Sequence, residues 1–331
     1  MPVTDETAGL RPGRMGVGVI GAGRVGAVLG STLRAAGHAI VGVSAVSDES
    51  IDRAEMMLQG VPILPIPQIV ERSELVLLAV PDDALADLVA GIANSLGWQI
   101  GQLVVHVSGA HGLEILGPAA AQGAIPLAIH PAMTFTGTSL DVSRLEGAPF
   151  AVTASSPFLP IAQALVVEMG GEPVVVGEGA RVAYHAALSH ASNHLVTLLA
   201  QASEMLQEAG VSEPGHLLAG IVHASAEGAL RYASEGADPI GALTGPVSRG
   251  DAGTVARHLD ALARITAEGA GGDLVPTYRA LARSTAARAY GAGRLDAGAL
   301  TRIMTALDPV PGALDETRAR HDEDDEEGGA Q

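Results

Sequence analysis

The 331-residue sequence contains no cysteine, and all 19 of its basic residues are arginine. Without cysteine, disulfides, thiolate catalysis and Cys-ligated metal sites are excluded, and no metal site is expected. Without lysine there is no Schiff-base amine, no P-loop lysine and no lysine general acid. Aromatic residues are scarce at 2%. The core must therefore be built from Ala, Val, Leu and Ile, with 42 glycines permitting close packing. Positive charge is in short supply as well: 37 acids outweigh the arginines, for a net charge of −18. Such a chain repels nucleic acid and anionic membrane surfaces, so neither is an expected partner. No run of about 20 apolar residues is free of charge or turn breakers, so no membrane span is expected. The first 14 residues are polar and lack the apolar stretch of a signal peptide, which points to a cytoplasmic protein.

With 47% hydrophobic and 17% charged residues, the chain can bury a sizeable core. Residues 1–14 read as a flexible arm. Over residues 15–178, short apolar runs alternate with helical patterns. The expected strands are Met15–Ile20, Ala39–Ala45, a weak one at Val61–Pro65, Leu75–Val80, Leu103–Val107, Leu127–Ile129, Phe150–Thr153 and Pro173–Val176. That alternation is the pattern of an α/β domain with a doubly wound parallel sheet. From 179 to 310 only helical stretches follow, so the C-terminal domain is expected to be all-α. Residues 311–331 carry a run of like charge, with eight acids against two arginines, and read as a disordered acidic tail.

The first apolar run leads into Gly21-Ala22-Gly23-Arg24-Val25-Gly26, which opens a helix. This is the dinucleotide-binding pattern in its proper context. The first glycine allows a tight turn, the second lets the backbone approach a pyrophosphate, and the third lets helix and sheet pack. At the end of the second strand, where an NAD site places an acid for the ribose, stands Ser44, followed by Ala45, Val46 and Ser47. Hydroxyls together with Arg24 suit a 2′-phosphate, so NADP(H) is the expected cofactor. The competing reading makes Ser44 and Ser47 ordinary turn residues.

Three later strand ends are polar or turn-forming: Val80-Pro81-Asp82-Asp83, His106-Val107-Ser108-Gly109 and His130-Pro131. Ligands bind at the carboxyl ends of parallel strands, so these segments are expected to line a nicotinamide pocket. The plainer alternatives are that Asp82 or Asp83 caps the next helix, that Ser108-Gly109 only turns, and that His130 is a core histidine. In the first C-terminal helix, His185, Ser189, Ser192 and Asn193 share an arc of about 100° on an otherwise apolar surface. His185 could act as general acid, with Asn193 and Ser189 holding a substrate oxygen. Interhelical hydrogen bonding is the alternative. In Thr244-Gly245-Pro246-Val247-Ser248-Arg249-Gly250-Asp251, Asp251 is placed to cap the next helix. Arg249 could clamp a substrate carboxylate or form a salt bridge.

The glycine loop, the Leu78-Ala79-Val80-Pro81-Asp82 strand end and the helical second domain resemble the 6-phosphogluconate-dehydrogenase-type superfamily, which includes pyrroline-5-carboxylate reductase and prephenate dehydrogenase. The motifs His106-x-Ser108-Gly109, His130-Pro131, Tyr184-His185-x-Ala187…Asn193 and Thr244-Gly245-Pro246-x-x-Arg249-Gly250-Asp251 resemble more closely a Rossmann-like family whose C-terminal half is the domain of unknown function 2520. The resemblance implies a Rossmann domain, an NADP-type site and a homodimer built through the helical domain. Where related hydroxyisobutyrate dehydrogenases carry a catalytic lysine, this chain has His185. The combined expectation is an NADP(H)-dependent oxidoreductase that reduces a small 2-oxo acid (ketopantoate being one candidate) or an imine. The rival is a non-catalytic NADP-binding sensor or scaffold. The expected site comprises His185, Asn193, Ser189, Ser108, Arg249 and His130 for chemistry, with Gly21 to Gly26, Ser44, Val80, Pro81 and Ser108 at the cofactor.

Overall fold

The computed structural model describes residues 14–269 and 271–308. The expected acidic tail, and all but the last residue of the expected arm, lie outside the described residues. What is described falls into two compact units that divide between Ser192 and Asn193.

The first unit alternates strands and helices. In chain order these are β1 (Gly16–Ile20), α1 (Arg24–Ala35), β2 (Ala39–Ser44), α2 (Asp48–Met57), α3 (Ile66–Arg72), β3 (Leu75–Leu78), α4 (Asp82–Ser95), β4 (Leu103–His106), α5 (Gly117–Ala120), β5 (Ile125–Pro131), α6 (Ser139–Arg144), β6 (Pro149–Thr153), α7 (Leu159–Glu168) and β7 (Glu172–Val175). The seven strands form one sheet in the order β2-β1-β3-β4-β5-β6-β7. β3 is a wholly buried apolar run and β4 is wholly buried too, apolar up to its final residue His106, as the middle of a sheet covered on both faces requires. The core lies on both faces. Val19, Leu29, Leu77 and Phe150 belong to one side, and Ile69, Val76, Val89 and Trp98 to the other.

The α/β class and the helical second half are as expected, with two corrections. The run Val61–Pro65 makes only an isolated bridge, Val43 to Ile63. Pro62 and Pro65 lack the N–H groups that a ladder needs, so no strand propagates there. The sheet is also not wholly parallel, because β5 and β6 run antiparallel, with Ala128 opposite Thr153 and Pro131 opposite Phe150.

β1 pairs with β2 on one side and β3 on the other, so the strand order switches direction at its carboxyl end. That is where such sheets bind ligands. Gly26 shows why the third glycine of the loop is required. A Cβ there would strike Gly21 O and stand 2.8 Å from Ala79 Cβ.

Helix α8 (Arg181–Glu208) begins in the first unit and ends in the second. It is followed by α9 (Pro214–Ser234), α10 (Ala252–Ala267), α11 (Leu274–Gly291) and α12 (Ala297–Leu307). Helices α10, α11 and α12 share a core that includes Val255, Leu259, Ala286 and Ile303. Asp251 caps α10 by accepting from Thr254 N at 3.0 Å, as its place after Gly250 suggests. α9 is different, because none of its residues is buried.

Candidate active site

The glycine loop has the geometry that its sequence implies. Gly21 takes φ +99°, which L side chains rarely adopt, and a Cβ there would lie 2.5 Å from Ala79 O. Gly23 is the N-cap of α1 and makes no side-chain cap. A Cβ at Gly23 would meet protein only at 4.0 Å. The side chain missing at Gly23 therefore keeps open space over the N-terminus of α1, where the amides of Arg24, Val25 and Gly26 have no partner one turn back. These residues fit a dinucleotide pyrophosphate.

Ser44 joins this loop directly. Its Oγ accepts from Gly21 N at 3.1 Å, and its carbonyl accepts from Ala22 N at 3.0 Å. Ser47 is committed elsewhere, as the N-cap of α2. The structure adds a residue that sequence reasoning passed over. Arg53, on α2, donates from Nη1 to Ala22 O at 3.3 Å. A Cβ on Gly137 would stand 2.8 Å from Arg53 Nε and 3.0 Å from Arg24 Cγ, so the two arginines flank one point of the loop after β5. Buried Asp141 shapes that loop by accepting from Thr136 N at 2.8 Å and Gly137 N at 2.7 Å. These bonds hold its carboxyl below the usual carboxylate range against the opposing effect of burial. Among the described residues, neither Arg24 nor Arg53 forms an ion pair.

At the end of β3, Pro81 is the N-cap of α4. Asp82 and Asp83 fall in the first helical turn, so neither is the cap that the sequence suggested. At the end of β4, fully buried His106 ties its own loop together. Its Nδ1 accepts from Ser108 N at 3.2 Å and its Nε2 donates to Gly112 O at 2.8 Å. Burial pushes its pKa from 6.5 down to about 4, so the ring is neutral at pH 7. The Ser108 hydroxyl accepts from His111 N at 3.2 Å.

His130, Tyr184 and His185 come together beside Gly109. Nδ1 of His130 lies 2.9 Å from the Tyr184 hydroxyl. The His130 ring sits edge-on to those of Tyr184 and His185, with centroids 5.7 Å and 6.1 Å apart. A Cβ on Gly109 would stand 2.9 Å from His130 Nε2 and 2.7 Å from His185 Cδ2, so this glycine is the floor on which both imidazoles rest. Burial, the Arg181 cation and His185 lower the His130 pKa to about 4, with Asp82 opposing them.

The anchor of this cluster was not legible in the sequence. Arg181, the first residue of α8, is 1% exposed. Its guanidinium donates from Nε to Thr153 Oγ1 at 2.8 Å, from Nη2 to the carbonyls of Ala128 at 2.8 Å and Ala151 at 3.2 Å, and from Nη1 to Ser108 O at 3.4 Å. It thus fastens α8 to β5, β6 and the Ser108 loop. Just before it, Glu178 accepts from Leu113 N at 2.8 Å and Glu114 N at 3.1 Å, holding the far end of the same loop.

The remaining candidates are placed as follows. Ser189 is half-buried one turn beyond His185. Ser192, on the expected polar arc, turns its hydroxyl back to donate to Leu188 O at 2.9 Å. Asn193 is exposed, in the second unit. Arg249 is exposed on the short turn Val247–Arg249 of that unit, ahead of Gly250, which takes φ +72°. Among the described residues no group of three metal-binding side chains comes together, and no helix is long and apolar enough to cross a membrane.

Residues 1–131 match the model of the Rossmann-like domain, and residues 148–285 match that of a domain of unknown function, DUF2520. The chain therefore carries these two domains in succession. No curated protein matches it. Among solved structures it is similar to a presumed NADP oxidoreductase from Bacteroides fragilis, at 22% identity over 83% of this chain and 99% of that one, with a TM-score of 0.66. It is also similar to a reductive aminase from Aspergillus terreus, solved with NADPH and ethyl levulinate, at 16% identity over 88% and 98% of the two chains, with a TM-score of 0.61. An imine reductase from Pseudomonas sp. matches at 19% identity over 88% and 99%, with a TM-score of 0.59. At these identities the likeness is one of fold.

Proposed function

We propose that the chain is an NADP(H)-dependent oxidoreductase that reduces a small 2-oxo acid or an imine. The observation that carries this reading is the glycine loop, where Gly23 keeps space clear over the N-terminus of α1 while Arg24 and Arg53 stand nearby without ion pairs among the described residues. The loop from Gly21 to Gly26 would hold the pyrophosphate, and the two guanidiniums with the Ser44 hydroxyl would receive a 2′-phosphate. Val80 and Pro81 would border the nicotinamide, which when bound supplies or accepts a hydride. The names of the reductive aminase and the imine reductase favour an imine or a carbonyl as the class of substrate.

The chain's own residues then have to orient a substrate and manage a proton. Ser108, Ser189 and Asn193 are proposed to orient the substrate, and Arg249 to hold its carboxylate. The exchangeable protons are on the group around Gly109, where His130, His185 and Tyr184 meet. His185 is the acid suggested by the sequence pattern.

A homodimer through the helical unit belongs to the same proposal. On α9, Leu217, Ile221 and Leu230 are 57%, 65% and 67% exposed. Helices α8, α9 and α11 border an apolar groove of about 320 Å³ lined by Leu195, Leu198, Leu218, Val222 and Leu281. Contiguous exposed apolar surface is a common feature of interaction faces, and the proposal is that a second copy covers this one.

The test is to follow NADPH oxidation by the purified protein with a panel of 2-oxo acids and cyclic imines. Substrate-dependent oxidation supports the reductase reading. Tight NADPH binding with no oxidation across the panel favours the sensor reading instead.

A further inference from the structure

Resting on the reductase reading, we infer that the proton reaches the substrate from the Tyr184 hydroxyl, with His130 positioning that hydroxyl and resupplying its proton. His185, the donor suggested by sequence, has no hydrogen-bond partner among the described residues to fix its tautomer or aim its ring. Tyr184 does, because its oxygen lies 2.9 Å from His130 Nδ1. A general acid works best when a second group orients it and restores its proton.

The direction of this hydrogen bond decides the chemistry. If the imidazole carries its proton on Nδ1, it donates to the phenol oxygen, and the Tyr184 O–H is left to point at a substrate. If Nδ1 is bare, Tyr184 must donate to the ring, and its proton is taken.

In the first arrangement the transfer closes. As the carbon of a 2-oxo acid or neutral imine is reduced, the π pair of its double bond moves to oxygen or nitrogen. That atom takes the proton from Tyr184, and the Tyr184 O–H bond breaks. The pair left on the phenol oxygen takes the proton from His130 Nδ1 in concert with arrival of a solvent proton at Nε2. The half-buried imidazole therefore stays neutral throughout and ends with its proton on Nε2.

The surroundings suit this relay. The groups acting on His130 are Arg181 and His185, which disfavour its cationic form, Asp82, which favours it, and His106. The ring is therefore a neutral shuttle at pH 7. Burial raises the Tyr184 pKa, so the phenol is protonated and ready to donate, while the Arg181 cation favours the phenolate that forms on transfer. Arg181 is pinned by Thr153, Ala128 and Ala151, so this positive charge is fixed in place. Gly109 supports the His130 ring from behind.

The experiment uses the full chain and has two readouts. Long-range ¹H–¹⁵N NMR on ¹⁵N-histidine protein at pH 7.5 reads the His130 tautomer with no cofactor or substrate added. Assignment comes from His130→Gln, and Tyr184→Phe reports the dependence on the phenol. The expected result is a neutral ring protonated at Nδ1, with that preference lost in Tyr184→Phe. A neutral ring protonated at Nε2, with Nδ1 bare, would overturn the inference.

The second readout is turnover of whichever 2-oxo acid or imine the wild type reduces. Tyr184→Phe is expected to bind NADPH within about twofold of wild type and to lose roughly 100-fold or more in kcat. A loss under about threefold would overturn the inference, as would a His185→Gln loss exceeding that of Tyr184→Phe. If NADPH does not bind the wild type, the reductase reading fails, and the tautomer separately reports whether the Tyr184–His130 pair is built as described.

Discussion

Arg181 donates from Nε to Thr153 Oγ1 at 2.8 Å, joining the first residue of α8 to the last residue of β6. The same guanidinium serves the carbonyls of Ala128, Ala151 and Ser108, so one buried cation holds together two antiparallel strands, a strand-end loop and a long helix. No carboxylate lies within ion-pair distance of it among the described residues. Burial lowers its pKa from the ordinary value, with Tyr184 and Glu178 opposing that shift, and its direct hydrogen bonds go to neutral acceptors.

Arg181→Leu leaves those acceptors buried and unpaired. The expected cost is about 2–4 kcal/mol, seen as a Tm lower by roughly 5–15 °C. Arg181→Lys is expected to recover little, because an ammonium cannot fork to acceptors on three segments. Thermal unfolding followed by circular dichroism measures both. Wild-type stability in the leucine variant would mean that the network is incidental.

Gly109→Ala tests the floor of the cluster. The added Cβ would sit 2.9 Å from His130 Nε2 and 2.7 Å from His185 Cδ2, so both rings must move. The expected outcome is a loss of turnover of roughly tenfold or more, since misplacement by about 1 Å can cost 100-fold. NADPH affinity should hold, because the glycine loop is untouched. Turnover equal to wild type would show that the ring positions are irrelevant to the chemistry.

Stability should fall with acid over a defined window. In the folded protein His106 and His130 titrate near pH 4, below the ordinary 6.5. Between those values the unfolded chain binds more protons than the folded one, so stability is full above pH 6.5 and is lost progressively toward pH 4. His106, wholly buried, contributes a slope of at most about 1.4 kcal/mol per pH unit. Urea unfolding across pH 4–8 measures the trend, and His106→Gln should flatten it. A wild-type curve that rises toward acid would contradict the burial argument.

The fold was largely legible because its signals are local. Gly21, Gly23 and Gly26 announce the loop, β3 is an unbroken buried run, and Asp251 stands next to the helix it caps. What the sequence hid depends on strand order. Arg181 reads as an ordinary charged residue at a helix start until β5 and β6 are known to lie side by side and antiparallel, presenting Ala128 O, Ala151 O and Thr153 Oγ1 together. Tyr184 was noticed only as part of a motif, because nothing local places it beside His130, 54 positions earlier. Arg53 was missed for the same reason, since its proximity to Arg24 passes through Gly137, on another loop. The stretch from Val61 to Pro65 misled in the opposite way: its apolar residues suggest a strand, but its prolines cannot support a ladder.

The glycine loop with Arg24 and Arg53 is proposed as an NADP(H) site. Titrating the purified full chain with NADPH and with NADH, by nicotinamide fluorescence, tests it most directly. The expected result is NADPH binding at least about tenfold tighter than NADH, a preference worth about 1.4 kcal/mol, and largely abolished in Arg24→Ala/Arg53→Ala. Equal affinity for the two would contradict the 2′-phosphate assignment, and no binding of either would contradict the oxidoreductase reading itself.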